Sequence, residues 1–223
     1  TDGYLSRHSA GLYDIQVEIL FNGTADSMRR RIISPLKRGL NRFKSRKESN
    51  LRVLDVATGT GRTLLQIRGA LPEIELLGLD LSLSYLNEAN RYLSNRSGEL
   101  AQLIRGNAEK MPFQSNSMQA ITCVFLLHEL PRNARQNVMD ECLRVLEPGG
   151  VFILADSIQK ADSPNFKIIM ENFHKLFHEP FYSDYINDNI KERLQESGFI
   201  GVTAESHFMT RVWSATKPLE EQT

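Results

Sequence analysis

From Leu51 to Ala155 short apolar runs alternate with amphipathic segments of helical length, and this alternation constrains the fold more than any other feature. Strands are expected over Arg52–Val56, Ile74–Asp80, Leu100–Arg105, Gln119–Leu127 and Val151–Ala155. Helices are expected over Gly61–Ala70, Leu83–Leu93 and Ala134–Val145, the last stopped by Pro148-Gly149-Gly150. Gln119–Leu127 is apolar almost throughout, as a strand covered on both faces must be. Strands joined by helices give right-handed crossovers and a parallel sheet wrapped on both sides. After Ser157 the pattern changes to helices over Ser163–Glu179 and Ile186–Glu196, the second stopped by Gly198. A hairpin of Gly201–His207 with Thr210–Ala215 follows. Five strands plus the hairpin make an α/β, doubly wound, mostly parallel seven-stranded sheet. Residues 1–48 read as helix and loop, with Ser34-Pro35 as an N-cap and first-turn proline between two short helices.

Charge narrows the function. Lys plus Arg equals Asp plus Glu, 27 each, which argues against a nucleic-acid partner. The run Arg29–Lys47 nevertheless holds nine basic residues and no acidic one. Its apolar members, Ile32, Ile33, Leu36, Leu40 and Phe43, recur at helical spacing, so a solvated face over a buried one is the expectation. The sharper alternative for residues 29–47 is a peripheral contact with an anionic surface, phosphorylated ligand or partner. No apolar run reaches the roughly 18 residues of a membrane span. Cys123 and Cys142, in a strand and a helix, are expected buried and reduced, pointing to the cytoplasm or a reducing organelle interior.

Two motifs carry chemistry. Val53-Leu54-Asp55-Val56-Ala57-Thr58-Gly59-Thr60-Gly61 leaves a strand and enters a helix. Glycines there let the backbone turn and approach a ligand closely, and the helix N-terminus suits an anion. Alone such a turn equally suits a tight strand-to-helix connection. Asp80 ends the second strand 25 residues after Asp55, where a carboxylate can accept from both hydroxyls of a ribose. Its plainer reading is a cap for the next helix, a role open to Ser82.

These runs, followed by GNAEKMPF, FLLHELP and RVLEPGG in order, resemble the class I S-adenosylmethionine-dependent methyltransferases. The similarity is greatest to the small-molecule branch with the ubiquinone and menaquinone biosynthesis C-methyltransferases, and covers about residues 50–157. The resemblance implies the Rossmann-like methyltransferase fold, S-adenosylmethionine as cofactor and S-adenosylhomocysteine as product. It implies one domain over residues 1–223: a helical N-terminal lid (1–48), a cofactor-binding core (49–157), a substrate-covering insertion (158–190), and a terminal helix and hairpin (191–223). By the same resemblance Asp55, Ala57, Gly59, Thr60 and Gly61 form the loop under the methionine portion, Asp80 holds the ribose, and Leu81 packs on the adenine. Asn107, Ala108 and Met111 would reach the adenine edge and line its pocket. Ala57 stands where the family usually has glycine and Asn107 where it usually has aspartate.

His128-Glu129 follows the fourth strand, at the ligand-facing end of the sheet. His128 is the candidate base for an acceptor that must lose a proton, with Glu129 beside it; the competing reading is a structural tie. No metal site is expected. HELPR lacks the second histidine of a zinc-protease motif, neither cysteine has a CxxC partner, and His174 with His178, four apart, has only Glu179 near it. Six of the 17 Phe and Tyr fall in residues 166–185, suiting an apolar or aromatic small-molecule substrate. The lid would be Tyr4–Phe21, holding Tyr13-Asp14. Two rivals remain open: a nicotinamide-dependent oxidoreductase, against which Leu64 replaces the third glycine of GxGxxG, and a non-catalytic cofactor-binding assembly factor. Nothing in the sequence sets the number of subunits.

Overall fold

A computed structural model describes residues 6–43, 45, 47, 51–177 and 179–219, apart from the side chains of 174–177. Tyr4, Lys44, Arg46, His178 and the side chains of His174 and Phe177 therefore lie outside the described residues.

The core sheet holds β1 (Arg52–Val56), β2 (Glu75–Asp80), β3 (Gln102–Arg105), β4 (Met118–Val124), β5 (Leu146–Ser157), β6 (Ile200–His207) and β7 (Thr210–Thr216). Their order is β3-β2-β1-β4-β5-β7-β6, with β1 to β5 parallel and β7 antiparallel to both its neighbours. The strand order reverses between β1 and β4, so a crevice opens at the carboxyl ends of those two strands.

Alternation along each strand feeds two cores. Val53 points to the face covered by α3 (Ile33–Leu40), α4 (Arg62–Ala70) and α5 (Leu83–Ser94), where Leu36, Ile67 and Leu93 meet it. Leu54 and Val56 point to the face covered by α6 (Arg132–Val145), α8 (Tyr182–Tyr185) and α9 (Ile190–Glu196), among Val138, Cys142 and Ile190. Cys123 and Cys142 are both buried and free. No helix among the described residues is long and apolar enough to cross a membrane.

Before β1 come α1 (Arg7–Leu20), α2 (Ala25–Arg29), a 3-10 turn (Arg30–Ile32) and α3. Ser34 is not the cap of α3, which starts one residue earlier. Its hydroxyl instead accepts from Arg38 Nη1 at 2.6 Å, and Pro35 occupies the first turn. In the basic run Ile32, Leu36, Leu40 and Phe43 are buried while Arg30, Arg31, Lys37, Arg38 and Arg42 are exposed, which is the helical-face arrangement. Arg29 departs from it: buried, it pairs with Asp26 at 2.8 Å.

Several boundaries differ from expectation, among them the start of the helix expected from Ile186, which begins at Ile190 as α9. β4 ends at Val124 rather than Leu127, because Phe125 takes φ 58° and turns the chain into a 3-10 turn, Leu127–Glu129. Pro148-Gly149-Gly150 does not stop a helix ahead of β5. It lies inside β5 as an irregularity, where pairing to β4 slips between Met118 and Ala120 and Gly149 takes φ 79°. The region expected as one helix from Ser163 opens with a 3-10 turn, Pro164–Phe166, before α7 (Lys167–Phe177).

The segment behind the site is fixed by ions. Arg135, fully buried on α6, pairs with Asp184 of α8 and with Asp188 at 3.3 Å, and Arg193 of α9 reaches Asp188 at 2.6 Å. On the opposite face α3 lies so close to β5 that a Cβ on Gly39 would sit 2.3 Å from Val151 Cγ1. Gly39→Ala is therefore expected to lower unfolding free energy by about 1–3 kcal/mol, read as a lower denaturant midpoint. An unchanged midpoint would contradict this packing.

Candidate active site

Two cavities meet at the carboxyl ends of the strands. The first, about 340 Å³, is bounded by Ala57 and Gly59 after β1, Asp80 and Leu81 after β2, and Asn107 and Ala108 after β3. The second, about 590 Å³, has mostly apolar walls from α1, Phe125, Phe173, Tyr182 and Met209. Tyr13, Phe125 and Glu129 border both.

The loop after β1 is built around a strained residue. Ala57 sits at φ 56°, a left-handed conformation that costs an L side chain roughly 1–2 kcal/mol and a glycine nothing. Gly59 and Gly61 follow at φ 56° and 79°, and α4 begins at Arg62. Thr58 N donates to Leu79 O at 3.0 Å, and Gly59 N donates to Asp80 Oδ2 at 2.9 Å. Asp80 Oδ1 accepts from Ser82 N at 2.8 Å, while the Ser82 hydroxyl caps α5. The helix cap thus falls to Ser82, and Asp80, held half-buried at the cavity wall, ties two loops together. Burial raises the Asp80 pKa, against the lowering effect of the N–H groups of Ser82 and Gly59.

Asp55, Thr60, Gly61 and Met111 do not line the first, 340 Å³ cavity, which corrects their direct role there. Asp55 is buried beneath the loop and accepts from Thr58 Oγ1 at 2.8 Å and Thr122 Oγ1 at 2.6 Å. Burial pushes its pKa up to about 7, with the two hydroxyls opposing. Gly61 packs the start of α4 against Ala89 and Leu93. Met111 lies in the core and its N donates to Glu141 Oε2 at 2.6 Å. Asn107 does border the cavity, but its Oδ1 already accepts from Glu109 N at 2.9 Å. Leu81, 56% exposed, offers the cavity an apolar face.

Helix α1 roofs both cavities. Asp14 accepts from Thr60 Oγ1 at 2.7 Å and from Arg62 Nε at 2.9 Å, so Thr60 ties α1 to the loop after β1. Tyr13 meets Tyr85 edge to face at 5.5 Å, and Ser9 Oγ lies 3.0 Å from Tyr85 Oη. Burial pushes the Tyr13 phenol up to about 12, with the Arg29 guanidinium opposing.

His128 is held from behind. Its Nδ1 lies 2.7 Å from Oδ1 of Asp156, a fully buried carboxylate at the end of β5 that also accepts from Leu127 N and Ser157 N at 2.7 Å. Burial alone would lower the His128 pKa, but the Asp156 charge and hydrogen bond outweigh it and lift the value to about 9. The expectation of a base titrating near 6.5 is therefore corrected: His128 holds its proton at neutral pH. Glu179, from the segment after α7, is pushed up to about 7 by burial and by the Glu129 carboxylate beside it. Of the aromatic cluster, Phe173 and Tyr182 line the apolar cavity and Tyr185 belongs to the core. Phe166 packs on Phe208 at 6.1 Å, and Phe181 is 37% exposed. Asp156 could have been found as an acid ending a strand beside the switch point; Glu179 carries no local signal.

Residues 53–150 match the family described as "Methyltransferase domain". They form a class I S-adenosylmethionine-dependent methyltransferase domain. The chain is 33% identical over 108 residues to the ubiquinone/menaquinone biosynthesis C-methyltransferase of Syntrophotalea carbinolica, 48% of this chain and 44% of that protein. It is 29% identical over 144 residues to the demethylmenaquinone methyltransferase of Thermotoga maritima, 65% of this chain and 56% of that one. The chain thus spans about half the length of the curated relatives it matches. The fold also resembles that of phosphoethanolamine N-methyltransferase 2 of Haemonchus contortus, solved with S-adenosyl-L-methionine. The TM-score is 0.59 at 16% identity, over 82% of this chain and 52% of that one. The match over residues 53–150 favours a methyltransferase over the nicotinamide rival.

Two expectations follow for the methyltransferase domain. Ala57→Gly relieves the left-handed strain but loosens the unfolded chain, for a net gain of about 1 kcal/mol, measured as a higher melting temperature. Asp55, with its folded pKa raised from 3.8 to about 7, contributes stability that is full below about pH 4 and lost as pH rises through about 7. Asp55→Asn lacks that loss, so its stability relative to the parent should rise between pH 4 and 7 and then level off. Parallel pH profiles would show that Asp55 ionises normally.

Proposed function

We propose that this chain transfers a methyl group from S-adenosylmethionine to a small, apolar or aromatic acceptor of quinone type. The observation that carries the reading is the pair of adjoining cavities. One has an acid at its wall and glycine-loop backbone beside it, the other is apolar, and Tyr13, Phe125 and Glu129 stand at their border. That two of the relatives are named for quinone biosynthesis supports the acceptor class.

The residues present fit the cofactor. Asp80 accepts from Gly59 N on one oxygen and Ser82 N on the other, with Leu81 N also drawn to it, and a carboxylate has about four acceptor positions, so room remains for a ribose hydroxyl. The exposed Leu81 side chain would cover one face of an adenine, and Asn107 and Ala108 would meet its edge. Bound there, S-adenosylmethionine supplies an electrophilic methyl group. The protein's own contribution is alignment and dryness: α1, clasped through Asp14, closes the roof, and Phe125 and Tyr13 wall the border. Tyr182, its hydroxyl 2.8 Å from Ser157 Oγ, keeps the acceptor wall in place.

Asp80→Ala is expected to weaken S-adenosylmethionine binding by about a hundredfold in calorimetry while the far-ultraviolet circular dichroism stays unchanged. Labelled methyl transfer to short-chain hydroxyquinones should be detectable with the parent and lost with the variant. Parent-like affinity in folded Asp80→Ala would refute the assignment of the cofactor cavity.

A further inference from the structure

On the face of the sheet covered by α3, the apolar core stops before the sheet does. Val212 of β7 is buried there, but β6, the edge strand, is exposed along most of its length. Strand register sets Thr203 opposite Ser214 and Glu205 opposite Val212, so these side chains share one face of the β6–β7 hairpin. Between that face and the helical segment of α2 and α3 runs a groove of about 730 Å³. It shares no lining residue with the two cavities at the carboxyl ends of the strands.

The helical wall of the groove is a stripe of donors. Ser27, Arg30, Arg31, Ser34 and Arg38 recur at steps of three and four residues, which places them along one side of the segment. Arg38 is held by its bond to the Ser34 hydroxyl, one turn back. Among the described residues neither the Arg30 nor the Arg31 side chain forms a hydrogen bond or ion pair. The nearby acid, Asp26, is already shared by Arg29 at 2.8 Å and Arg62 at 3.7 Å. The hairpin wall adds one carboxylate, Glu205, which lies 3.7 Å from His207 Nε2. Three guanidiniums thus face one carboxylate, in a chain whose charges otherwise cancel. A groove lined mainly by one sign of charge concentrates counter-ions of the other. A solvated helical face explains why the arginines point away from the core. It does not explain why hydroxyls on a neighbouring pair of strands point toward them.

We propose that this groove binds a soluble ligand bearing a diphosphate group, anchored by Arg31 and Arg38. A guanidinium presents paired donors that match phosphate oxygens, and its charge persists at every physiological pH. Arg31 and Arg38 stand two helical turns apart, about 10 Å along the axis, so two linked phosphoryl groups suit them better than one. Hydroxyls from both walls, Ser27 and Ser34 on one side and Thr203 and Ser214 on the other, supply further donors. The site is independent of what the cofactor and acceptor cavities hold.

The test is calorimetric titration of the tag-free full chain with sodium pyrophosphate in a chloride buffer of low ionic strength. One site per chain is expected, with a Kd on the order of tens of micromolar. Arg31→Gln and Arg38→Gln should each weaken it by about tenfold, and Ser214→Ala by about threefold. Lys37→Gln removes the same charge from an exposed position of α3 outside the groove and should keep the parent affinity. S-adenosylmethionine binding, measured alongside, should be equal in all four variants, so that its absence throughout refutes the methyltransferase reading and leaves the groove standing. No saturable pyrophosphate binding by the parent overturns the proposal. So does a loss in Lys37→Gln as large as in Arg31→Gln, which marks diffuse attraction to a basic helix. Cosedimentation with phosphatidylglycerol vesicles that pyrophosphate fails to compete away overturns it in favour of a membrane surface.

Discussion

Where parallel strands end side by side, backbone N–H groups lose their ladder partners, and this sheet meets that constraint with acids. Asp80 accepts from Gly59 N and Ser82 N; Asp156 accepts from Leu127 N and Ser157 N. Asp55 works one layer below, drawing in the hydroxyls of Thr58 and Thr122. Each carboxylate stands at the end of one strand and holds a group belonging to another. The loops around the cavities are therefore positioned relative to each other by the sheet itself, and their geometry is as rigid as the strand register. The burial that raises the pKa of Asp55 and Asp80 is the cost of this arrangement, offset by several charge-assisted hydrogen bonds.

The same region stores backbone strain. Ala57 and Phe125 both take positive φ with side chains attached, and both border the first cavity. At Ala57 the turn brings main chain instead of side chain to the cavity wall. At Phe125 it ends β4 early and swings the ring between the two cavities, where it stacks near Phe21 of the lid at a centroid distance of 6.4 Å. Such conformations persist only where surrounding contacts over-determine them. Phe125 N donating to Ala155 O at 2.8 Å is one of those contacts.

Periodicity revealed the strands and helices of the core because burial on both faces writes itself into most residues of Val53–Val56 and Ile121–Val124, Asp55 and Thr122 excepted. It misjudged the end of β4, since Phe125-Leu126-Leu127 is as apolar as the strand and only the φ of Phe125 breaks it. It took Pro148-Gly149-Gly150 for a stop because those residues usually are one, whereas pairing with Lys217, just past the end of the neighbouring β7, keeps the segment in the sheet. In the site, Asp80 and the glycine loop were legible as local motifs. The roles of Asp55, Thr60 and Met111 were not, because they depend on partners that only folding brings near: Thr122, Asp14 and Glu141. Glu179 belongs to the same class, one carboxylate among many until the chain returns beside His128.

The clasp of Asp14 on Thr60 and Arg62 has a kinetic meaning. Because α1 borders both cavities through Tyr13, the contacts that hold it down bear on both chambers. Under the function proposed above, exchange of both guests would be gated by this one element, and its rate of lifting would set an upper limit on turnover whatever the speed of the bond-making step. The grip on α1 is a carboxylate bridging a threonine hydroxyl and a guanidinium near the protein surface, an attachment weak enough for salt to loosen.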